Sequence, residues 1–278
     1  MSRRTGVRLT AGLIIRFSRA RMALLVLTLG PAVLHASWIW PWYVATPPAI
    51  TAGAPLTVLS FNMQYGGANV AAVVEATREF DVVVLTEITE PARRGLVRLG
   101  FDQRFPYEST GKLPGGGTAG TTVFSRFPIT ATEPLPAEIS HQNWLVTLDT
   151  PGLGPVRLAA VHPARPKHGG SCWASDHRLL RTALPTPTGP IVLAGDFNAV
   201  ESHWPMRRLR AHGWQSSTDL AGAGWQPTWP VDRLRLSPLV RIDHILLSPD
   251  LTATASSRMR ISGSDHLAVT ATIIGAGC

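Results

Sequence analysis

The sequence has little cysteine: only Cys172 and Cys278 occur among its 278 residues. Two cysteines are too few for a disulfide framework, and their spacing matches no zinc motif, which excludes the small disulfide-rich and zinc-finger classes. A single Cys172–Cys278 bridge would need an oxidising compartment, and two unrelated thiols are the alternative. The sequence also has no internal repeat and no heptad pattern, which excludes repeat arrays and coiled coils.

The body of the chain has little net charge. The formal net charge of the whole sequence is +8, but six arginines precede residue 22 with no acid among them, and without them the remainder carries +2. A nearly neutral domain gives no strong case for binding the phosphate backbone of a nucleic acid, although its net charge does not exclude a local basic patch. The length suits one large α/β domain with an appendage, and a hydrophobic content of 45% is ample for a core.

Residues 22–45 contain no charged side chain. At about 1.5 Å per residue this stretch is long enough to cross a hydrocarbon core of roughly 30 Å, and aromatic residues cluster at its end, as they do at membrane interfaces. By the positive-inside rule we predict a basic cytoplasmic N-terminus (residues 1–21), a single-pass transmembrane anchor (22–45), a linker (46–55) and an extracytoplasmic domain (56–278). A cleaved signal peptide and a buried helix are the alternatives.

The domain alternates between short apolar runs and helical patterns. Apolar runs bounded by Gly, Pro and polar residues predict buried strands. We predict strands over 56–61, 81–86, 121–125, 144–148, 156–161, 191–194, 242–247 and 267–274, and helices over 69–80, 91–99, 174–184 and 205–212. Several neighbouring strands lack a crossover helix between them, which favours mixed rather than purely parallel sheets in an α/β fold.

Acids, amides and imidazoles stand at the ends of many of these strands. The residues are Asn62, Glu87, His162, Asp196, Asn198, Asp243, Asp265 and His266. A single strand-end Asp or Asn is usually a turn former, but a buried sheet rarely tolerates so many acids without a function. Their recurrence predicts one acid/base and metal site at a sheet edge.

The residue types point to phosphoester chemistry with a hard metal ion. Oxygen ligands from Glu87, Asp265 and Asn62 suit Mg²⁺, and the scarcity of Cys and His ligands argues against zinc. Asp196 could take a proton from an attacking water, and His266 could hold or protonate phosphate oxygens, with its tautomer fixed by Asp243.

Two sets of histidines are interpreted as structural. A second Ser-Asp-His triplet at residues 175–177 precedes a helical run, so Ser175 or Asp176 is interpreted as a helix N-cap. His141, His168, His203 and His212 are interpreted as surface or packing residues.

At this point the sequence resembles the endonuclease/exonuclease/phosphatase superfamily. The ordered motifs are Leu59-Ser-Phe-Asn62, Asp81-Val-Val-Val-Leu-Thr-Glu87, Gly120-Thr-Thr-Val-Phe-Ser-Arg-Phe-Pro-Ile129, Ala160-Val-His-Pro163, Gly195-Asp-Phe-Asn198, Arg241-Ile-Asp-His244 and Ser264-Asp-His266. The resemblance implies a four-layer α/β sandwich with two central mixed sheets. Two positions depart from the common pattern: Gln64 stands where nucleases often carry an acid or amide, and Thr86 replaces the usual Gln.

The resemblance also implies a role for each site residue. Glu87 would be the main metal ligand, assisted by Asn62 and Asp265. The histidines His162 and His266 would contact the scissile phosphate, Asp196 and Asn198 would orient or activate the water, and Asp243 would pair with His266.

The expected function is a Mg²⁺-dependent phosphoesterase, with Mn²⁺ as the alternative ion, in an exported, membrane-anchored and monomeric bacterial-type member. Because the body is nearly neutral and an anchor is predicted, we expect a lipid-linked or small phosphoester as substrate. An exported nuclease acting on nucleic acid and a catalytically inactive binding module are the alternatives.

Overall fold

A computed structural model of the protein describes residues 26–45, 53–109, 111–136, 139–167, 170–232 and 238–277. The chain divides into two compact units, Met1–Tyr43 and Val44–Cys278. Both the fold and the candidate site described below belong to the second unit.

In the first unit residues 26–39 are helical and a short 3₁₀ turn follows at Trp40–Trp42. Within the part of the chain that the structure describes, no helix is both long and apolar enough to cross a membrane, so the predicted transmembrane helix is not supported. Residues 22–25 of that predicted span, most of the predicted linker and the partner cysteine Cys278 lie outside the described residues.

Two six-stranded mixed sheets form the centre of the second unit, in the orders β11-β12-β1-β2-β4-β3 and β5-β6-β7-β8-β10-β9. The strands of the first sheet are β1 (Leu56–Asn62), β2 (Val82–Thr86), β3 (Tyr107–Glu108), β4 (Thr121–Ser125), β11 (Leu251–Arg260) and β12 (Leu267–Gly275). Those of the second sheet are β5 (Ile129–Pro134), β6 (Trp144–Thr150), β7 (Gly154–Val161), β8 (Ile191–Asp196), β9 (Gln215–Ser216) and β10 (Asp243–Leu247).

Six helices connect these strands in the described residues. They are α1 (Val70–Ala76), α2 (Glu90–Arg98), α3 (Phe101–Arg104), α4 (Ser171–Ala183), α5 (Trp204–Ala211) and α6 (Ser217–Leu220). The side chain of Asn69 accepts a hydrogen bond from the Ala72 amide, which confirms it as the N-cap of α1.

Three apolar clusters separate four layers of secondary structure. Alternate side chains of both sheets meet in the central cluster, among them Val58, Val84, Leu158 and Val192. The other faces of β1 and β2 pack against α1 and α2, and those of β7 and β8 pack against α4 and α5. Because side chains alternate between the two faces of a strand, each central strand contributes residues to two apolar clusters. The predicted sandwich of two mixed sheets is confirmed.

Candidate active site

Strand register places the first two site residues side by side. The strands β1 and β2 run parallel with Asn62 opposite Thr86, so that Glu87 follows directly at the same sheet edge. The Asn62 amide Nδ2 donates to Glu87 Oε1 at 3.2 Å, and its Oδ1 accepts from the Gln64 backbone N–H at 2.8 Å. Glu87 Oε2 accepts from the Tyr65 N–H at 2.7 Å. The amide and the carboxylate are therefore held by the turn that follows β1.

The second sheet contributes in the same way. The parallel strands β7 and β8 pair Val161 with Gly195, which brings His162 beside Asp196. In the antiparallel pair β8 and β10, Asp196 lies directly opposite Asp243. The strands approach so closely that a Cβ atom on Gly195 would lie 1.9 Å from the Val161 carbonyl oxygen. Only glycine fits before Asp196, and this close approach sets the spacing of the site residues on β7 and β8.

The residues before β12 complete the cluster. His266 Nδ1 donates to Asp243 Oδ2 at 2.9 Å, and its Nε2 lies 3.9 Å from Asp196 Oδ2. The Ser264 hydroxyl donates to the Asn62 carbonyl at 2.7 Å, while Asp265 accepts from Trp229 Nε1 at 3.1 Å. The last motif is thereby fastened to the end of β1.

Direct contacts join the two sheets at this point. Asn62 Nδ2 donates to Asp196 Oδ2 at 2.9 Å. His162 Nε2 lies 3.9 Å from Glu87 Oε1 and 3.7 Å from Asp196 Oδ2, so it faces one carboxylate of each sheet. All eight predicted residues belong to this one region, and Asn198 joins through its backbone N–H, which donates to Asp196 Oδ1 at 2.8 Å. The Asn198 side chain donates to the Pro163 carbonyl at 3.0 Å, so its amide group braces the loop.

Burial and neighbouring charge set the protonation of these groups. Burial and the facing Asp243 carboxylate raise the pKa of Asp196 to about 7. Burial lowers the pKa of His266, but Asp243, Asp196 and Asp265 outweigh it and raise that pKa to about 9. For His162, burial and then the neighbouring His141 and His266 hold the pKa well below its usual value. Near neutral pH the site therefore holds one cationic imidazole, one neutral imidazole and a carboxyl group that titrates.

Backbone strain is concentrated at the same place. Among the described residues, five non-glycine residues have positive φ, and four of them adjoin the site: Gln64 (46°), Tyr65 (57°), Glu87 (53°) and Asn198 (48°). Such conformations cost on the order of 1 kcal/mol each or more and persist only where the surroundings enforce them. The hydrogen bonds to Glu87 and Asp196 described above supply that enforcement.

The site offers two sets of ligand atoms for a metal ion. The ligand atoms of Asp196, Asp243 and His266 lie within 4.8 Å of one another, but Asp243 and His266 already bind each other. Glu87 and Asp265 keep 13% and 10% of their side chains exposed, against 2% and 1% for Asp196 and Asp243. The more accessible carboxylates, Glu87 and Asp265, offer hard oxygens that suit a divalent ion, while the Asn62 oxygen accepts from the Gln64 N–H and its Nδ2 faces Glu87.

Several site residues were not found by the sequence analysis. Gln64 accepts from the Asp265 N–H through its Oε1 at 3.0 Å, and Trp229 binds the same residue. The histidine His141, interpreted as a surface or packing residue, stacks on His162, and Asn143 accepts from the His162 N–H. Of these residues only Gln64 could have been found from the sequence, because it stands two residues after Asn62, where nucleases of the family often carry an acid or amide.

The Ser175-Asp176-His177 triplet is structural, but its predicted N-cap role is wrong. The helix α4 begins earlier, with Gly170 as its N-cap, and Asp176 and His177 are buried inside it. Asp176 accepts from the Ala164 N–H at 2.8 Å, and His177 Nε2 donates to the Phe197 carbonyl at 3.0 Å. These polar groups therefore tie α4 to the loops beside the site.

Residues 59–266 match the Endonuclease/Exonuclease/phosphatase family. No curated protein gives a significant match to the sequence. The fold is similar to an endonuclease/exonuclease/phosphatase from Beutenbergia cavernae DSM 12333 (TM-score 0.64, 22% identity, 81% of this chain and 72% of that chain). It is also similar to D. rerio TDP2 complexed with single strand DNA product (0.61, 17%, 79% and 98%) and to the Bacteroides thetaiotaomicron VPI-5482 mannosyl-6-phosphatase Bt3783 (0.58, 16%, 79% and 99%).

Proposed function

The chain belongs to the Endonuclease/Exonuclease/phosphatase family, and we propose that it hydrolyses a phosphoester by attack of water at phosphorus, with the help of a divalent metal ion. Family members are hydrolases of phosphoesters. One observation carries the proposal for this chain: Asp243, His266 and Asp196 form a buried series of acid, imidazole and acid, and Asp196 at its end lies 3.7 Å from Nε2 of His162.

We assign the metal ion to Glu87, with Asn62 and Asp265 beside it, and propose Mg²⁺, with Mn²⁺ as the alternative. The donors are hard oxygens, and these acids are the accessible ones of the cluster. The ion would polarise a phosphoryl oxygen and offset the negative charge that develops there.

The protein's own groups divide the proton chemistry between them. Asp196, with its pKa raised to about 7, ionises near neutral pH and would accept the proton of the attacking water. His266 carries a proton because Asp243 supports it, so it would donate to a phosphate oxygen. His162 would contact the phosphate as a neutral imidazole, and the Asn198 N–H would hold Asp196 in orientation.

For the substrate we propose a lipid-linked or small phosphoester, cleaved outside the cytoplasmic membrane. The nearly neutral body of the chain and the likeness to a mannosyl-6-phosphatase support this class. The location rests on the sequence alone, and so does the monomeric state. A reporter enzyme fused after Cys278 tests the location, and activity of the fusion in the cytoplasm only would contradict it.

A nuclease is the second candidate, because one similar structure is a complex with single strand DNA product. The two candidates differ in electrostatics. Binding to DNA by contacts to many phosphates weakens steeply with salt, whereas binding of one phosphate group does so far less.

The test is hydrolysis by the purified protein across DNA, phospholipid, polyprenyl-phosphate and sugar-phosphate substrates, with and without Mg²⁺. We expect activity on a small or lipid-linked phosphoester that is lost with chelator and in Glu87→Gln and His266→Ala, while His212→Ala, an exposed histidine variant, stays active. Hydrolysis of DNA alone, with a steep salt dependence, would identify a nuclease. Full activity of Glu87→Gln would contradict the metal assignment. A folded protein inactive on every substrate would favour the inactive binding module.

A further inference from the structure

The segment of residues 141–143 contacts His162, and we propose that His141 and Asn143 are positioning residues that hold the His162 imidazole toward Glu87 and Asp196. The inference rests on the proposed hydrolysis, because it assumes that His162 contacts the phosphate. It adds two residues that no sequence motif of the site includes.

The two site histidines are held in different ways. Nδ1 of His266 is fixed by its hydrogen bond to Asp243 at 2.9 Å. The side chain of His162 is 1% exposed, and its Nδ1 forms no hydrogen bond of normal geometry among the described residues, although the Thr118 backbone interacts with the imidazole and favours its charged form. A ring whose second nitrogen is unbound is free to rotate or flip unless packing prevents it. Other contacts must therefore orient Nε2 of His162 toward the two carboxylates.

Stacking on His141 is the first of these contacts. The two imidazole rings are nearly parallel, with an interplanar angle of 11° and centroids 4.2 Å apart. His141 Nδ1 lies 2.9 Å from the His162 carbonyl oxygen and must carry the proton, since a carbonyl only accepts. Its Nε2 then accepts from the Thr118 hydroxyl at 2.9 Å. With both ring nitrogens bound, His141 presents a fixed face to His162.

Asn143 supplies the second contact. Its Oδ1 accepts from the His162 N–H at 2.6 Å, and its Nδ2 donates to the His141 carbonyl at 2.6 Å. Together, His141 and Asn143 bind both backbone polar groups of His162 and cover one face of its ring. These contacts fix the backbone of His162 and restrict the rotation of its imidazole ring from one face.

The Gly-rich loop 112–120 fixes the segment itself. The Gln142 N–H donates to the Ala119 carbonyl at 2.8 Å, and its side chain donates to the Lys112 carbonyl at 2.9 Å. A Cβ atom on Gly120 would lie 2.0 Å from the Ile88 carbonyl, next to Glu87. The loop therefore packs against the residues that follow β2, and its contacts to Gln142 and His141 hold His141 beside His162.

The activity test uses His141→Ala, His141→Phe and Thr118→Val. A misplacement of about 1 Å can cost roughly a hundredfold in rate. We expect His141→Ala to lower kcat about tenfold or more. KM should stay within about twofold of the wild-type value, because the other proposed substrate contacts, His266 and the metal ligands, are unchanged. His141→Phe keeps an aromatic face and should recover part of the loss, and Thr118→Val, which removes one hydroxyl only, should cost less.

A second readout does not depend on activity. The ring carbon and proton resonances of His162, followed by NMR in the metal-free protein, should shift in His141→Ala and Thr118→Val, while His212→Ala leaves them unchanged. If the wild type hydrolyses no phosphoester, the proposed function fails, and the resonances alone decide the positioning. Unmoved His162 resonances, or a kcat of His141→Ala within twofold of the wild type, would overturn the inference.

Discussion

At the residue scale, Asp243 is a buried acid whose side chain forms a hydrogen bond to His266. It is 1% exposed, and its Oδ2 binds His266 Nδ1 at 2.9 Å. A carboxylate in this position fixes the imidazole tautomer and stabilises the imidazolium form.

We therefore expect Asp243→Asn to lower kcat by roughly a hundredfold to ten-thousandfold, the range for general acid–base groups. The size of the side chain is kept, so KM should change little. Steady-state kinetics of the folded variant measure this effect. The control is Asp232→Asn, the same substitution at an exposed acid that pairs with Arg260. A loss smaller than fivefold would remove Asp243 from the proton chemistry.

The pH profile of kcat/KM follows from the same residues. The proposed proton transfers need Asp196 ionised and His266 protonated, and the pKa values of these groups are raised to about 7 and about 9. The rate should therefore rise as pH increases through about 7 and fall as it passes about 9. In Asp243→Asn the falling limb should move to lower pH, because the carboxylate that raises the pKa of His266 is gone. If the falling limb of the pH profile did not move in Asp243→Asn, the assignment of that limb to His266 would be contradicted.

The structure brings the eight residues predicted from the sequence into one region, because each follows or precedes an apolar run and such runs meet at a sheet edge. The residues it missed act differently. Gln64, Asn143 and His141 bind mainly backbone groups of their neighbours. Such contacts depend on where a loop folds back in space, and apart from the place of Gln64 two residues after Asn62, no spacing along the sequence indicates them.

At the element scale, the strands that the sequence analysis missed are all edge strands. The strands β3, β5, β9 and β11 stand at the four ends of the two sheets. In β11 only the first three residues are all buried, and Thr, Ser and Arg dominate the rest. An edge strand is covered on fewer sides and is often kept polar, which prevents pairing with other chains. Apolar runs identify central strands, so edge strands give no comparable signal.

The start of α4 was also placed too late. Ser171, Cys172 and Trp173 belong to this helix, which has no side-chain N-cap. Instead, Trp173 Nε1 donates to the Asn198 carbonyl at 3.0 Å. Tertiary contacts to the loop after β8 thus determine a helix end that local capping rules assign elsewhere.

This packing makes the stability of the domain depend on pH through His177. Burial lowers its pKa to about 4, so it is neutral in the folded protein near pH 5 but protonated in the unfolded chain. The free energy of unfolding should therefore fall as pH drops from about 6.5 to about 4, by up to roughly 3 kcal/mol from this group.

Urea unfolding of wild type and His177→Gln at pH 7 and pH 4.5 measures the effect. The glutamine amide can still donate to the Phe197 carbonyl, so the variant should lose less stability on acidification than the wild type. His212→Gln, at an exposed position, serves as the control. Equal losses in wild type and His177→Gln would show that the buried histidine does not govern this pH range.

At the scale of the whole molecule, the site is a junction between the two sheets. Asn62 ends one strand of the first sheet, Glu87 follows another, and Asp196 ends a strand of the second sheet. The Asn62 amide donates to both acids. Burial and, after it, the facing Asp243 carboxylate raise the pKa of Asp196 there, so negative charge at this junction is costly. A cation bound at this junction should therefore stabilise the entire domain.

A ligand that binds only the folded state stabilises it by about 2.7 kcal/mol at a hundred times its dissociation constant. For a domain of this size each kcal/mol raises Tm by roughly 2–4 °C, so saturating Mg²⁺ should raise Tm by about 5–10 °C. Thermal unfolding with Mg²⁺ and with chelator measures the shift. It also separates the two ligand sets, because Glu87→Gln should abolish the shift and Asp243→Asn should keep most of it. The reverse order would place the ion between Asp196, Asp243 and His266, and no shift in the wild type would contradict a resident metal ion.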